Sequence, residues 1–88
     1  MINTDISIYV PVYNGEKTIK SCINSILKQT LKPKNILVVD DCSNDKTLQI
    51  LKEYEDKITI YSNSENKGVS FCRNFAINKL GNRFIASI

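Results

Sequence analysis

Ile36-Leu37-Val38-Val39 is an unbroken apolar, mostly β-branched run of strand length, closed by two aspartates. A half-buried strand alternates apolar and polar residues, whereas a continuous run is covered on both faces, which is the condition of a strand inside a parallel sheet. Parallel neighbours need crossover connections, and the sequence supplies them. Ile6–Val10 reads as a first strand, which Pro11 is expected to end because proline cannot donate to a central ladder. Ile19, Ile23, Ile26 and Leu27 fall at i, i+4, i+7 and i+8, one apolar helix face, with Pro33 closing the segment. A second helix is expected from Thr47 to Glu55 with Leu48, Leu51 and Tyr54 inward. A third strand is expected over Ile58–Tyr61 and a third helix over Val69–Leu80, striped by Val69, Cys72, Ala76 and Leu80. Gly81 suits the αL residue past that helix, and Arg83–Ile88 begins a fourth strand. The order β-α-β-α-β-α-β predicts an α/β fold with an open, mostly parallel, Rossmann-like sheet and right-handed crossovers.

With 88 residues, 42% apolar and 24% charged, the chain is a single domain with a small core. Its apolar runs are far too short for a membrane span, and no signal-peptide pattern follows the N-terminus. Twelve bases against nine acids give a scattered net charge of +3, which permits an anionic ligand without the basic patch that nucleic acid requires. Three cysteines without a Cys-x-x-Cys, and no histidine, argue against a zinc site and exclude Ser-His and Cys-His nucleophile pairs. An odd, sparse cysteine count reads as a reduced, cytoplasmic protein. Neither G-x-G-x-x-G nor G-x-x-x-x-G-K-[ST] occurs, which removes the usual nicotinamide and P-loop sites.

Polar clusters follow the strands at residues 11–16, 40–45 and 62–68. Open sheets bind ligands outside the carboxyl ends of their strands, so these three loops are expected to rim one crevice. Two readings are open for Asp40 and Asp41. One carboxylate accepts hydrogen bonds from a nucleobase N–H or a ribose hydroxyl, or the pair is an acidic strand-to-helix loop in which one Asp caps orphan N–H groups. Tyr13 offers a flat face for stacking and Asn14 a donor and an acceptor, against a plain turn whose tyrosine packs on the next helix. Arg73, early in the third helix, can meet a phosphate beside the helix N–H groups or be simply solvated.

The segments Val10–Glu16, Ser21–Thr30, Val38–Thr47 and Asn63–Asn74, in that order, resemble the N-terminal part of family-2 glycosyltransferases of the GT-A fold. The likeness covers nearly the whole chain. It implies a truncated GT-A nucleotide-binding half, residues 1–88 forming one partial domain that binds a nucleotide-sugar, commonly UDP-linked. On this resemblance Tyr13 with Asp40 or Asp41 contacts base and ribose, Arg73 lies near the base or diphosphate, and Glu16 sits on the rim, with Pro11 and Asn14 in the same motif. Cys42 stands where the family usually has glycine, a costly residue if φ is positive there. The family's Asp-x-Asp motif for Mg²⁺ or Mn²⁺, its catalytic base and its acceptor-binding half are expected beyond Ile88, so no catalytic or metal-ligating residue is assigned within the chain. The whole enzyme is then expected to be an inverting glycosyltransferase of glycan or polysaccharide synthesis, acting on a glycan or lipid-linked acceptor at the inner face of the membrane. These 88 residues alone are expected to be inactive and, through a sheet cut short, inclined to self-associate. Rival readings are a non-catalytic nucleotide-binding or interaction module, and a receiver-like signalling domain suggested by the acidic pair.

Overall fold

The computed structural model describes residues 2–3, 6–81 and 84–86. Four parallel strands form the main sheet: β2 (Ser7–Val12), β4 (Ile36–Asp40), β5 (Thr59–Ser62) and β6 (Phe84–Ala86), in the spatial order β5-β4-β2-β6. Their crossovers are α1 (Ile19–Leu27), α2 (Thr47–Lys52) and α3 (Val69–Leu80). A separate two-residue parallel pair joins β1 (Ile2–Asn3) to β3 (Leu31–Lys32). Counting the main strands along the chain, the order is 3-2-1-4, the Rossmann arrangement, and not the 2-1-3-4-5 order of receiver domains. The receiver reading ends there.

Strand alternation divides the core in two. Val10, Ile36 and Val38 face α1 and α2, packing with Ile19, Ile23, Ile26, Leu51 and Tyr54. Tyr9, Leu37 and Val39 face α3, packing with Cys72 and Ala76. The run at 36–39 is therefore covered on both sides, as its composition requires, and each of its residues is buried. The Tyr54 hydroxyl donates to Asn24 Oδ1 at 2.8 Å, fastening the end of the α2 segment to α1.

Some boundaries differ from expectation. β2 continues through Pro11, which sits opposite Val39 in the ladder. The Ile8 N–H donates to Asn35 O and the Val12 carbonyl accepts from Asp41 N–H, so the even-numbered residues of β2 aim their backbone at β4. The Pro11 nitrogen then faces the opposite edge, past the described pairing with β6, which ends at Tyr9↔Ala86, and no ladder bond to β4 is lost. α2 stops at Lys52, and a series of turns carries the chain to β5. Leu48 is only partly buried there. Gly81 has the expected positive φ of 77°, but ψ of −153° puts it outside αL, in a region essentially restricted to glycine. Arg83, Ser87 and Ile88 of the expected fourth strand, and the Val69 side chain, lie outside the described residues.

Candidate functional site

The loops after β2, β4 and β5 meet at the carboxyl edge of the sheet, and the middle loop is bonded to both others. Towards the first loop, Asn14 N–H donates to Ser43 Oγ at 2.8 Å, Gly15 N–H to Thr47 Oγ1 at 2.8 Å, and Glu16 N–H to Asp45 Oδ2 at 3.3 Å. The Asn44 N–H donates back to Asn14 Oδ1 at 2.9 Å. Asn14 makes this approach with φ of 51°, a left-handed conformation that asparagine tolerates better than most residues. Gly15 leaves no room for a side chain, since a Cβ there would lie 2.7 Å from Val12 Cγ2.

The acidic pair is split by the sheet. Asp40, the last residue of β4, shares the parity of Ile36 and Val38 and turns to the α1–α2 side, where Ser43 Oγ donates to its carboxylate. Asp41 turns to the α3 side. Its Oδ1 accepts from Asn63 Nδ2 at 2.9 Å and from Lys67 N–H at 2.7 Å, and its Oδ2 accepts from Gly68 N–H at 2.9 Å. Both residues are buried, at 1% and 7% exposure. Two adjacent carboxylates are thus kept at a strand end by separation to opposite faces and by internal donors on each. Burial pushes the Asp41 carboxyl up, but the N–H of Lys67, the amide of Asn63, the N–H of Gly68 and the thiol of Cys72 outweigh it and hold the group below 3.8. A third aspartate, one residue before the Lys46 N-cap of α2, braces the start of that helix. Asp45 Oδ1 accepts the Thr47 N–H at 2.9 Å and the Thr47 hydroxyl at 2.5 Å.

On the α3 side, charge and burial converge on Tyr9. Burial first, then Cys72 and Asp41, push its phenol up to about 12, while the nearby Arg73 guanidinium acts in the opposite sense. Asp41 and α3, which carries Arg73, lie on this face of the sheet, and Pro11 has its parity. Tyr13 stands 52% exposed at the tip of β2 and lines an open cleft of ≈ 680 Å³ with Pro11, Asn14 and the start of α1, so it is not plugged by core packing. Arg73 is exposed on α3, as is the Glu16 residue on the first loop. Of the seven residues singled out from sequence, Asp41 and Pro11 lie on the α3 face and Arg73 is carried by α3, while Tyr13 lines the cleft between the end of β2 and the start of α1, which neither Asp41 nor Arg73 lines. Asn14, the Glu16 backbone and Asp40 instead bind the first two loops together. Sequence reasoning missed Asn63 and the Lys67–Gly68 backbone as partners of Asp41. One signal was present: Gly68 adopts φ 86° and ψ 167°, which needs glycine.

The carboxylates do not fit a divalent cation. Asp40 and Asp41 point away from one another with their oxygens engaged by N–H and O–H donors, whereas Mg²⁺ needs converging free oxygens. Among the described residues, no group of three or more His, Cys, Asp or Glu side chains is arranged to hold a metal.

Residues 7–88 match the family model described as Glycosyl transferase family 2. The chain belongs to this family. It is 40% identical over 82 residues to the UDP-Glc:alpha-D-GlcNAc-diphosphoundecaprenol beta-1,3-glucosyltransferase WfgD of Escherichia coli, an overlap of 92% of this chain and 32% of WfgD. With the glycosyltransferase GlyA of Streptococcus pneumoniae the identity is 34% over 90 residues, covering 100% of this chain and 13% of GlyA. The crystal structure of Staphylococcus aureus TarS 1-349 in complex with UDP-GlcNAc superposes with a TM-score of 0.78 at 33% identity, over 94% of this chain and 26% of that one. The chain thus spans less than a third of each of these family members. The GT-A fold expected from the resemblance is the fold observed.

Proposed function

We propose that the chain is the donor-nucleotide-binding part of an inverting glycosyltransferase, which passes a sugar from a UDP-sugar to an acceptor hydroxyl by direct displacement. The observation that carries this reading is the meeting of three polar loops at the carboxyl edge of a parallel sheet, with an exposed tyrosine on the first of them. Tyr13 offers its ring to the base, and Arg73 offers a planar fork of donors to the base or diphosphate. Pro11 shapes the floor beside Tyr13, and Glu16 stands at the rim. Asn14 and Asp40 act through the loops they join, and Asp41 lies beneath the nucleoside. The likeness to a UDP-GlcNAc complex supports UDP over other nucleotides.

A divalent cation, Mg²⁺ or Mn²⁺, when bound, offsets the charge of the departing nucleoside diphosphate. Since Asp40 and Asp41 do not fit it, we assign its ligands, the acceptor base and the acceptor site to residues outside 1–88. The acceptor is a glycan or lipid-linked sugar of polysaccharide synthesis, in keeping with the names of the relatives. The donor site works in the cytoplasm, at the inner membrane face. Among the described residues no helix is long and apolar enough to cross a membrane.

The test is nucleotide release by the whole protein carrying these residues, supplied with UDP-, GDP- and dTDP-sugars and a glycan acceptor. Release from a UDP-sugar, weakened by Tyr13→Ala and by Arg73→Ala, is expected. Equal turnover of all three nucleotide classes would remove the UDP assignment, and an undiminished rate in both variants would remove the site.

A further inference from the structure

Asn14-Gly15 is the one Asn-Gly step in the sequence. With no side chain in the way, a glycine nitrogen reaches the preceding carboxamide more readily than any other backbone nitrogen. Attack of the Gly15 nitrogen on Asn14 Cγ forms a new N–C bond and breaks the Cγ–Nδ2 bond. The departing amide takes up the Gly15 proton and leaves as ammonia. Water then opens the cyclic imide at either carbonyl, giving aspartate or an isoaspartate whose backbone runs through the side chain. No oxidant or metal is required.

Both reacting groups are held by the second loop. Asn44 N–H donates to Asn14 Oδ1 at 2.9 Å, polarising the carboxamide in the sense that favours attack. The nucleophile is the restrained partner. Gly15 N–H donates at 2.8 Å to Thr47 Oγ1, a fully buried hydroxyl that is itself bonded to Asp45 Oδ1. Ring closure must break the Gly15–Thr47 bond and bring the nitrogen round to the side chain. Gly15 has little room for this, since its Cα side is packed on Val12. Burial acts to raise the Asp45 carboxyl, but hydrogen bonds from Thr47 and the Glu16 N–H hold it below its ordinary value. It is therefore a poor acceptor for the Gly15 proton at the far end of the relay.

We propose that Asn14-Gly15 is a self-modification site, a deamidation step primed by the Asn44 N–H and held off by the Thr47 hydroxyl. The inference goes beyond the donor reading and does not depend on what the crevice binds. Aspartate at position 14 keeps an oxygen for the Asn44 N–H, so the two loops stay joined. Isoaspartate inserts a backbone atom before Gly15, which displaces its N–H from Thr47 and shifts the turn that carries Tyr13.

The experiment follows the full-length protein in mildly alkaline buffer. Peptide mass spectrometry reads succinimide and deamidated product at Asn14, and enzymatic methylation of isoaspartyl groups reads the isomer. Native protein is expected to react at least about tenfold more slowly than the same protein in concentrated urea, because only the locally opened fraction is reactive. Thr47→Val removes the acceptor of the Gly15 N–H and should accelerate the native reaction by about five- to 150-fold. Thr47→Ser keeps that acceptor and should keep the slow rate. Tyr54→Phe deletes the bond to Asn24 at the other end of the α2 segment and controls for a general loss of stability. Its rate should stay near that of the wild type. Equal rates in native and urea-unfolded protein would overturn the restraint, a result that stands even if Thr47→Val fails to fold. No acceleration in Thr47→Val, or the same acceleration in Tyr54→Phe, would remove Thr47 from the role. A slower reaction in Thr47→Val would make the Thr47–Asp45 relay the base of the reaction and reverse the proposal.

Discussion

Thr47 Oγ1 accepts the Gly15 N–H at 2.8 Å and donates to Asp45 Oδ1 at 2.5 Å, so one fully buried hydroxyl ties the turn after β2 to the start of α2. Thr47→Val keeps the volume but leaves the Gly15 N–H without its acceptor. The expected cost is about 1–3 kcal/mol. Thr47→Ser removes one methyl group and keeps both bonds, at about 1 kcal/mol. Urea unfolding of both variants checks the order: valine must be the more damaging although it fits the space better.

Cys42 adopts φ of 64°, the conformation for which a family glycine at this position is suited. The left-handed geometry costs an L-residue about 1–2 kcal/mol, part of which glycine returns through its freer unfolded chain. Cys42→Gly is expected to raise stability by about 0.5–1 kcal/mol. Cys42→Ala keeps the strained backbone and gives up only the weak thiol contact to Ser64 O. A denaturation midpoint that rises for glycine and not for alanine assigns the gain to backbone geometry. A rise in both would assign it to the sulfur.

The fold was legible because its signals are local. The run at 36–39 announces a strand covered twice, and Ile19, Ile23 and Ile26 announce the face that covers one side. Asp40 and Asp41 were legible as chemistry but not as geometry. Adjacent strand residues point to opposite faces, yet that rule applies only once β4 is known to include Asp40. The Asn63 amide reaches Asp41 across 22 residues of sequence, and its aim depends on the loop path after β5, which no periodicity encodes. Pro11 was misplaced for a related reason. Whether a strand proline breaks pairing depends on which neighbour its nitrogen faces, and that is a property of the sheet.

Acid stability follows from Asp41 and Asp45, both of which are held below the ordinary carboxylate range. Burial acts to raise each, but the hydrogen bonds to Asp41 from Lys67, Asn63 and Gly68, and those to Asp45 from Thr47 and Glu16, win. A folded-state value depressed below the unfolded one means that the unfolded chain takes up protons first as pH falls. The stabilisation is fully present above the unfolded value and is lost as pH drops through the folded values. The urea midpoint should therefore stay level in neutral solution and decline below about pH 4. In Asp41→Asn the midpoint should be lower at neutral pH, with a shallower acid limb. An acid limb of unchanged slope would show that the carboxylate is not engaged by its three donors in solution.

Tyr13 separates binding from folding more cleanly than any carboxylate here. At 52% exposure it adds little to the core, so Tyr13→Ala should alter stability by no more than about 0.5 kcal/mol. Stacking of a base on an aromatic ring is worth about 1–3 kcal/mol, so the same variant should weaken UDP by roughly five- to 150-fold. Tyr13→Phe keeps the ring and should retain affinity, because stacking needs no hydroxyl. Calorimetry with UDP on the three proteins, alongside their thermal transitions, decides the role. If alanine lowers stability and affinity in proportion, the tyrosine is a packing residue of the β2–α1 turn, and the base must be recognised elsewhere on the crevice.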